Sequence, residues 1–142
     1  MAEAVSPADV ARGLRYARVM TLQRQELGII GEKLAAEELT TRGYAILDRR
    51  YRTRHGEIDI VAEHGATIVF VEVRARATAE FGSAAESVTD AKKRKVTAMA
   101  VEYLSRHRIT NRPCRFDIVA IDGALGERPA ITVLPNAFDA TD

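Results

Sequence analysis

Two short runs carry the residues best suited to chemistry: Gly56-Glu57-Ile58-Asp59-Ile60 and Val69-Phe70-Val71-Glu72-Val73-Arg74. In each, apolar residues alternate with charged ones, the pattern of a β-strand that packs one face inward and presents acids on the other. Between them, Glu63-His64-Gly65-Ala66 reads as a turn. With Gly65 and Ala66 as the two loop residues, glycine takes the first central position of a type II′ hairpin. His64 then faces Thr67, Asp59 faces Glu72, and Glu57 faces Arg74. Directly opposed residues hold their Cβ atoms about 4.5–5.5 Å apart. Two carboxylates that close repel, and the proton affinity of one rises. A divalent cation removes the conflict, so this register makes the hairpin a candidate Mg²⁺ (or Mn²⁺) site built from hard oxygen ligands. The same residues also suit a solvated sheet face on which Arg74 neutralises Glu57.

The elements that must position this hairpin follow from local signals. Ser6-Pro7 opens a first amphipathic helix, with Ser6 as cap and Pro7 in the first turn. Its basic side chains suit either solvent or an acidic partner. A second helix is expected over 25–42, with Leu27, Ile30, Leu34 and Leu39 as its apolar stripe. Gly28 and Gly31 lower helix propensity and point to close backbone approach. Glu32 sits at the shoulder of that stripe, where small Ala35 and Ala36 leave room for its carboxylate to reach inward. Gly43 stops the helix. A strand from Tyr44 follows. In it Arg50, Arg52 and Arg54 alternate onto one face, suiting either a phosphate backbone gripped by guanidiniums or an edge strand blunted by charge.

Beyond the hairpin, 75–87 reads as a loop around Phe81-Gly82-Ser83, long enough to form a flap over a site. A third helix is expected over 89–107, capped by Thr89 or Asp90 and buried through Val96, Met99, Ala100, Tyr103 and Leu104. Lys92, Lys93, Arg94 and Lys95 crowd its first turns, where cations oppose the helix dipole. Phosphate binding would account for that arrangement, and a solvated basic cluster fits it equally. Residues 114–122 read as a strand buried on both faces, and 130–134 as a last short strand. The order α-α-β-β-β-α-β-β describes an α/β domain, a mixed sheet flanked by helices.

The chain has 142 residues, enough for one core. Its net charge of +1 excludes a global polycation, so any nucleic-acid surface has to be local. Cys114 is the single cysteine, which excludes an internal disulfide and a cysteine zinc site. No run approaches the ~20 apolar residues of a membrane span, and residues 1–20 lack a secretory apolar core. A soluble cytoplasmic protein without a membrane partner is expected.

The motifs Gly31-Glu32-x-x-Ala35, Gly43-Tyr44-x-Ile46-Leu47, Gly56-Glu57-Ile58-Asp59, Val69-Phe70-Val71-Glu72-Val73-Arg74 and Arg115-Phe116-Asp117, in this order, resemble the YraN-type family of uncharacterised bacterial proteins. That resemblance covers 25–138, leaving 1–24 as a helical extension and 139–142 as a tail. It implies a restriction-endonuclease-like fold related to archaeal Holliday junction resolvases. It further implies Asp59, Glu72 and the Val73 carbonyl as metal ligands, with Glu32 as the acid from the helix. Asp117 and Lys92 fall on further family positions. Arg74 stands where the nuclease pattern has lysine, and arginine stays protonated. Lys92 or Lys95 is therefore the candidate to supply the missing ammonium. The expected catalytic set is Glu32, Asp59, Glu72, Arg74 and Lys92, and the expected DNA contacts are Arg50, Arg52, Arg54, Lys92 and Lys95. The expected activity is Mg²⁺-dependent cleavage of branched or structured DNA. The alternatives are a nucleic-acid-binding module of the same fold without catalysis, and a protein-interaction subunit, with the N-terminal helix as a contact that allows a homodimer.

Overall fold

The structure, a computed structural model, describes residues 4–78 and 88–139. The flap expected around Phe81 lies outside the described residues. Helix α1 (Pro7–Thr41) leads into strands β1 (Ala45–Thr53), β2 (Gly56–His64) and β3 (Thr67–Ala75), then helix α2 (Asp90–Arg106), and strands β4 (Cys114–Asp122) and β5 (Ala130–Phe138). The five strands lie in chain order in one sheet. All neighbours are antiparallel except β3 and β4, whose parallel pairing requires the crossover that contains α2.

The mixed sheet with helices is as the sequence pattern predicts, with one helix fewer. The two helices expected before β1 are a single element of 35 residues, and the boundary at 24/25 falls inside it. Nothing between Met20 and Gln25 breaks a helix, and Gly28 and Gly31 only weaken one. Ser6 caps its start, its Oγ accepting from the Asp9 amide at 3.2 Å. Gly43, at φ +91°, ends it. Only the C-terminal part of α1 packs on the sheet, through Gly31, Glu32, Ala35, Ala36 and Leu39. Gly31 is a point of close approach between helix and strand, since a Cβ there would lie 2.8 Å from the Ala75 Cβ.

Two apolar cores sandwich the sheet. Under α1 lie Ala35, Leu39, Tyr44, Ile60, Val69, Val71, Val119 and Ile121. Under α2 lie Ile58, Val61, Ile68, Phe70, Val96, Met99, Tyr103 and Phe116. The hairpin is therefore buried on both faces for most of its length, not on one as its alternation suggests. Ile58 and Ile60, expected to share a face, point into opposite cores. Period-2 alternation is broken between them, at Asp59.

The helix α2 and β4 match the expected spans, with Thr89 capping α2 through its Oγ1 and the Lys92 amide at 3.2 Å. Strand β5 runs past the expected end at Leu134. Proline at 135 lacks a donor, and the ladder skips from Ile118↔Leu134 to Phe116↔Phe138 across a bulge that carries Asn136 at φ +52°.

Candidate active site

The β2–β3 register is the one set by the Gly65 turn: His64 faces Thr67 and Ile60 faces Val71. Gly65 has φ +61° while Ala66 keeps a negative φ, as a II′ turn requires. The ladder stops at Ile60↔Val71, one rung short of Asp59 and Glu72. On the other side, β1 and β2 pair at Arg49↔Ile60 and Tyr51↔Ile58, with Arg50 and Asp59 left out between them. Asp59 is thus the one β2 position in neither ladder. Across from it, Arg50 adopts φ +52°, a conformation a non-glycine residue holds at some strain. In place of a backbone pair, the Val73 amide donates to Asp59 Oδ2 at 2.8 Å.

This gap opens onto a cavity of about 290 Å³ under α1, lined by Arg24, Leu27, Gly28, Glu32, Asp59, Val73 and Ala75. Glu32 is buried, and its two oxygens accept from two arginines of β1: Arg49 Nε at 2.9 Å and Arg50 Nε. Glu72 does not line the cavity. It faces α2, where Lys92 Nζ lies 3.2 Å from its Oε1. The Asp59 carboxyl is pushed up from 3.8 to about 6. Burial is the first cause and the negative charge of Glu72 the second, with Glu32 adding to it, while the Val73 amide and Lys92 pull the other way.

The structure therefore brings Glu32, Asp59 and Val73 to one cavity, and sets Glu72 with Lys92 one rung away on the α2 side. The donors are hard oxygens of the kind Mg²⁺ takes. Among the described residues no three His, Cys, Asp or Glu side chains gather closely enough to hold a metal ion, and Glu32 and Glu72 are held by cations instead. Ion binding there requires Arg49 or Arg50 to release an oxygen of Glu32, and Lys92 to release Glu72.

The arginine row is corrected. Its three members do not share a strand face, because the left-handed turn of backbone at Arg50 breaks the alternation and Arg54 lies in the turn after β1. Each serves a different acid: Arg50 pairs with Glu32, Arg52 with Glu57 at 3.5 Å, and Arg54 with Glu102 at 3.2 Å. Glu57 thus has a cation from β1. Arg74 stands on β3 in register with Ala120 of β4. Lys95 leans over Gly56, its Cε 3.0 Å from where a Cβ would be.

A model of the uncharacterised protein family UPF0102 matches residues 31–121. The chain belongs to that family. A UPF0102 protein of Myxococcus xanthus is 41% identical over 123 residues, 87% of this chain and 97% of its own length. One from Moorella thermoacetica is 45% identical over 120 residues, 84% of this chain and 100% of its own. Another, DehaBAV1_0707 of Dehalococcoides mccartyi, is 43% identical over 119 residues, with 84% and 98% covered. It is the family that the sequence motifs resemble. Glu32, Asp59, Glu72, Lys92 and Asp117 all fall inside the span matched to UPF0102.

Two residues gain a place that the sequence did not supply. Arg24, outside the matched span, enters the Asp59 cavity from α1; its position one helical turn before Gly28, on a continuous helix, is the signal that the expected break concealed. Asp117, fully buried, accepts from Tyr44 Oη at 2.9 Å, Arg115 Nε at 2.9 Å and the Asn136 amide at 2.9 Å. It ties the residue before β1, β4 and the β5 bulge together and does not line the cavity. No described helix is long and apolar enough to cross a membrane.

Proposed function

We propose that this UPF0102 protein is a Mg²⁺- or Mn²⁺-dependent endonuclease acting on branched or otherwise structured DNA. The observation that carries the reading is Asp59. It has dropped out of both ladders, faces a cavity shared with Glu32, and keeps a raised proton affinity beside a second acid. A perturbed carboxyl in a cleft, among further acids and cations, is what a hydrolytic site needs. Asp59, the Val73 carbonyl and Glu32 would hold the ion in the cavity, and Glu72 would join them on release from Lys92. When bound, the ion supplies an activated water and offsets charge on the scissile phosphate. Lys92, released from Glu72, would supply an ammonium that can lose a proton and assist the attacking water, whereas Arg74 stays protonated and would stabilise charge on the phosphate. Arg24 and Arg50 grip the phosphate oxygens.

Purified protein with Mg²⁺ or Mn²⁺ is expected to nick a four-way junction or a flap, and Asp59→Ala to abolish nicking. Equal cutting by that variant refutes the assignment. Cleavage unchanged in both Lys92→Ala and Lys95→Ala removes the lysine role. A nucleic-acid-binding module without catalysis is the second reading. The pairing of Glu32 with arginines and of Glu72 with Lys92 favours it. Calorimetric titration with Mn²⁺ separates the two, since only the nuclease requires the ion. The exposed Val10, Leu14, Tyr16 and Val19 on α1 support a homodimer through that helix, which a size measurement with and without residues 1–24 tests.

A further inference from the structure

A second cleft, of about 450 Å³, lies between the β1–β2 turn and the outer face of α2 and shares no lining residue with the Asp59 cavity. One wall is the turn, and it is rigidly held. The Thr53 hydroxyl donates to the Gly56 carbonyl at 2.8 Å and accepts from the His55 amide at 3.1 Å. Glu102, whose side chain is 11% exposed, takes both the Arg54 amide at 3.1 Å and Arg54 Nε at 3.2 Å. Gly56, at φ +135°, presses so closely on α2 that a Cβ would lie 3.0 Å from Lys95 Cε and 3.6 Å from Met99 Sδ. The cleft is therefore preformed, which spares a ligand the entropy of ordering its wall.

Its lining has two characters. Arg54, Arg94 and Arg106 surround a single carboxylate, Glu102, so positive charge is in excess. Arg54 and Arg106 share that carboxylate. The side chains of Arg94 and His55 have no partner among the described residues. The floor is apolar: Ala98 and Val101, the latter 61% exposed on a helix whose other face is core. A cationic rim above an apolar floor, in a concavity of the size that takes small ligands, matches a nucleotide with its phosphate on the rim and its base or sugar on the floor. A duplex keeps those apolar faces stacked and offers only phosphates, whereas a single strand exposes both.

We infer that the cleft between the β1–β2 turn and α2 binds a single-stranded segment of nucleic acid, its phosphate on Arg94, His55 and Arg54 and its base or sugar over Ala98 and Val101. The inference rests on the nuclease reading for its substrate chemistry and narrows that substrate to DNA with a single-stranded arm.

Fluorescence anisotropy with the full chain in chelator tests it, using a short labelled single strand and the blunt duplex of the same sequence. Arg94 and Val101 are exposed, so Arg94→Glu and Val101→Glu leave the fold intact. The strand is expected to bind more tightly than the duplex, and each variant to weaken strand binding. Arg94→Ala is expected to lower the slope of log K against log salt by about 0.7, one single-strand phosphate contact. Strand affinity unchanged in both Glu variants, tighter duplex binding, or displacement of the strand by inorganic phosphate as effectively as by a nucleoside monophosphate overturns the inference. Wild type that binds through the cleft yet cuts nothing with Mg²⁺ or Mn²⁺ refutes the nuclease reading alone. Wild type that cuts branched DNA with strand binding indifferent to Arg94 and Val101 refutes the cleft alone.

Discussion

Replacing Asp59 with asparagine should make this protein more stable at neutral pH while abolishing the proposed cleavage. The unfolded chain loses the Asp59 proton near pH 3.8, the folded chain near pH 6. Between those values the native state holds the extra proton, so stability falls as pH rises and the deficit is complete above about pH 6. The difference converts to about 3 kcal/mol. Asparagine removes the buried charge and keeps an oxygen for the Val73 amide, although a neutral acceptor holds that hydrogen bond more weakly than a carboxylate. The net gain expected at pH 7.5 is about 2 kcal/mol, or about 4–8 °C in Tm for a domain of this size. Melts of both proteins in chelator, from pH 4 to pH 8, measure it. The variant should gain its advantage between pH 4 and pH 6 and hold it above. Mg²⁺ should then raise the Tm of wild type and not of the variant. An asparagine variant less stable than wild type at pH 7.5, or a gap that does not change with pH, would show that the Asp59 carboxylate is not strained in the fold.

Three further perturbations test the fold and the site. Gly31→Ala should lose about 1–3 kcal/mol in denaturant melts through overlap with Ala75, whereas Gly28→Ala, with nothing within 4 Å, should gain about 0.5–1 kcal/mol from helix propensity; equal effects would contradict the close approach at Gly31 alone. Asp117→Ala leaves Tyr44, Arg115 and the Asn136 amide without their buried acceptor and should lower stability by about 3–5 kcal/mol, with a near-normal melt as the contrary result. Arg24→Ala should leave the melt unchanged and slow cleavage about tenfold, a loss of about 1.4 kcal/mol; full activity would remove Arg24 from the site.

Where sequence signals are local and agree with packing, they place structure well. Thr89 before an amphipathic run, and the dense apolar alternation from Cys114, specify α2 and β4 to within a residue. The Gly65 turn specifies the hairpin register, because only glycine takes the first position of that turn without strain. The two-sided core explains what was less legible: alternation marks a strand, yet Phe70 and Ile68 pack as deeply under α2 as Val69 and Val71 do under α1. The irregularity at Asp59 leaves no mark in the sequence. Across the sheet from it Arg50 takes a left-handed conformation that glycine or asparagine would have signalled and arginine does not. Asp117 was visible as a motif position, but its partners Tyr44 and Asn136 are distant in sequence, so only the fold shows that it joins strands.

The same irregularity explains why the candidate site is where it is. A regular β2 would point Ile58 and Ile60 into one core and leave Asp59 facing the other helix, paired through its backbone. Breaking the alternation at one residue lets Ile58 serve the α2 core and Ile60 the α1 core, and frees the Asp59 carboxylate to enter the cavity under α1. The neighbouring acids already have cations: Arg49 and Arg50 for Glu32, Lys92 for Glu72. Asp59 has only an amide, and forms no ion pair among the described residues. A fold selected for stability alone would fill that position with an apolar residue, since burial outweighs the pull of Lys92 and the Val73 amide on its charge. The local departure from sheet geometry, the left-handed Arg50 and a buried carboxylate without an ion pair among the described residues converge on one cavity.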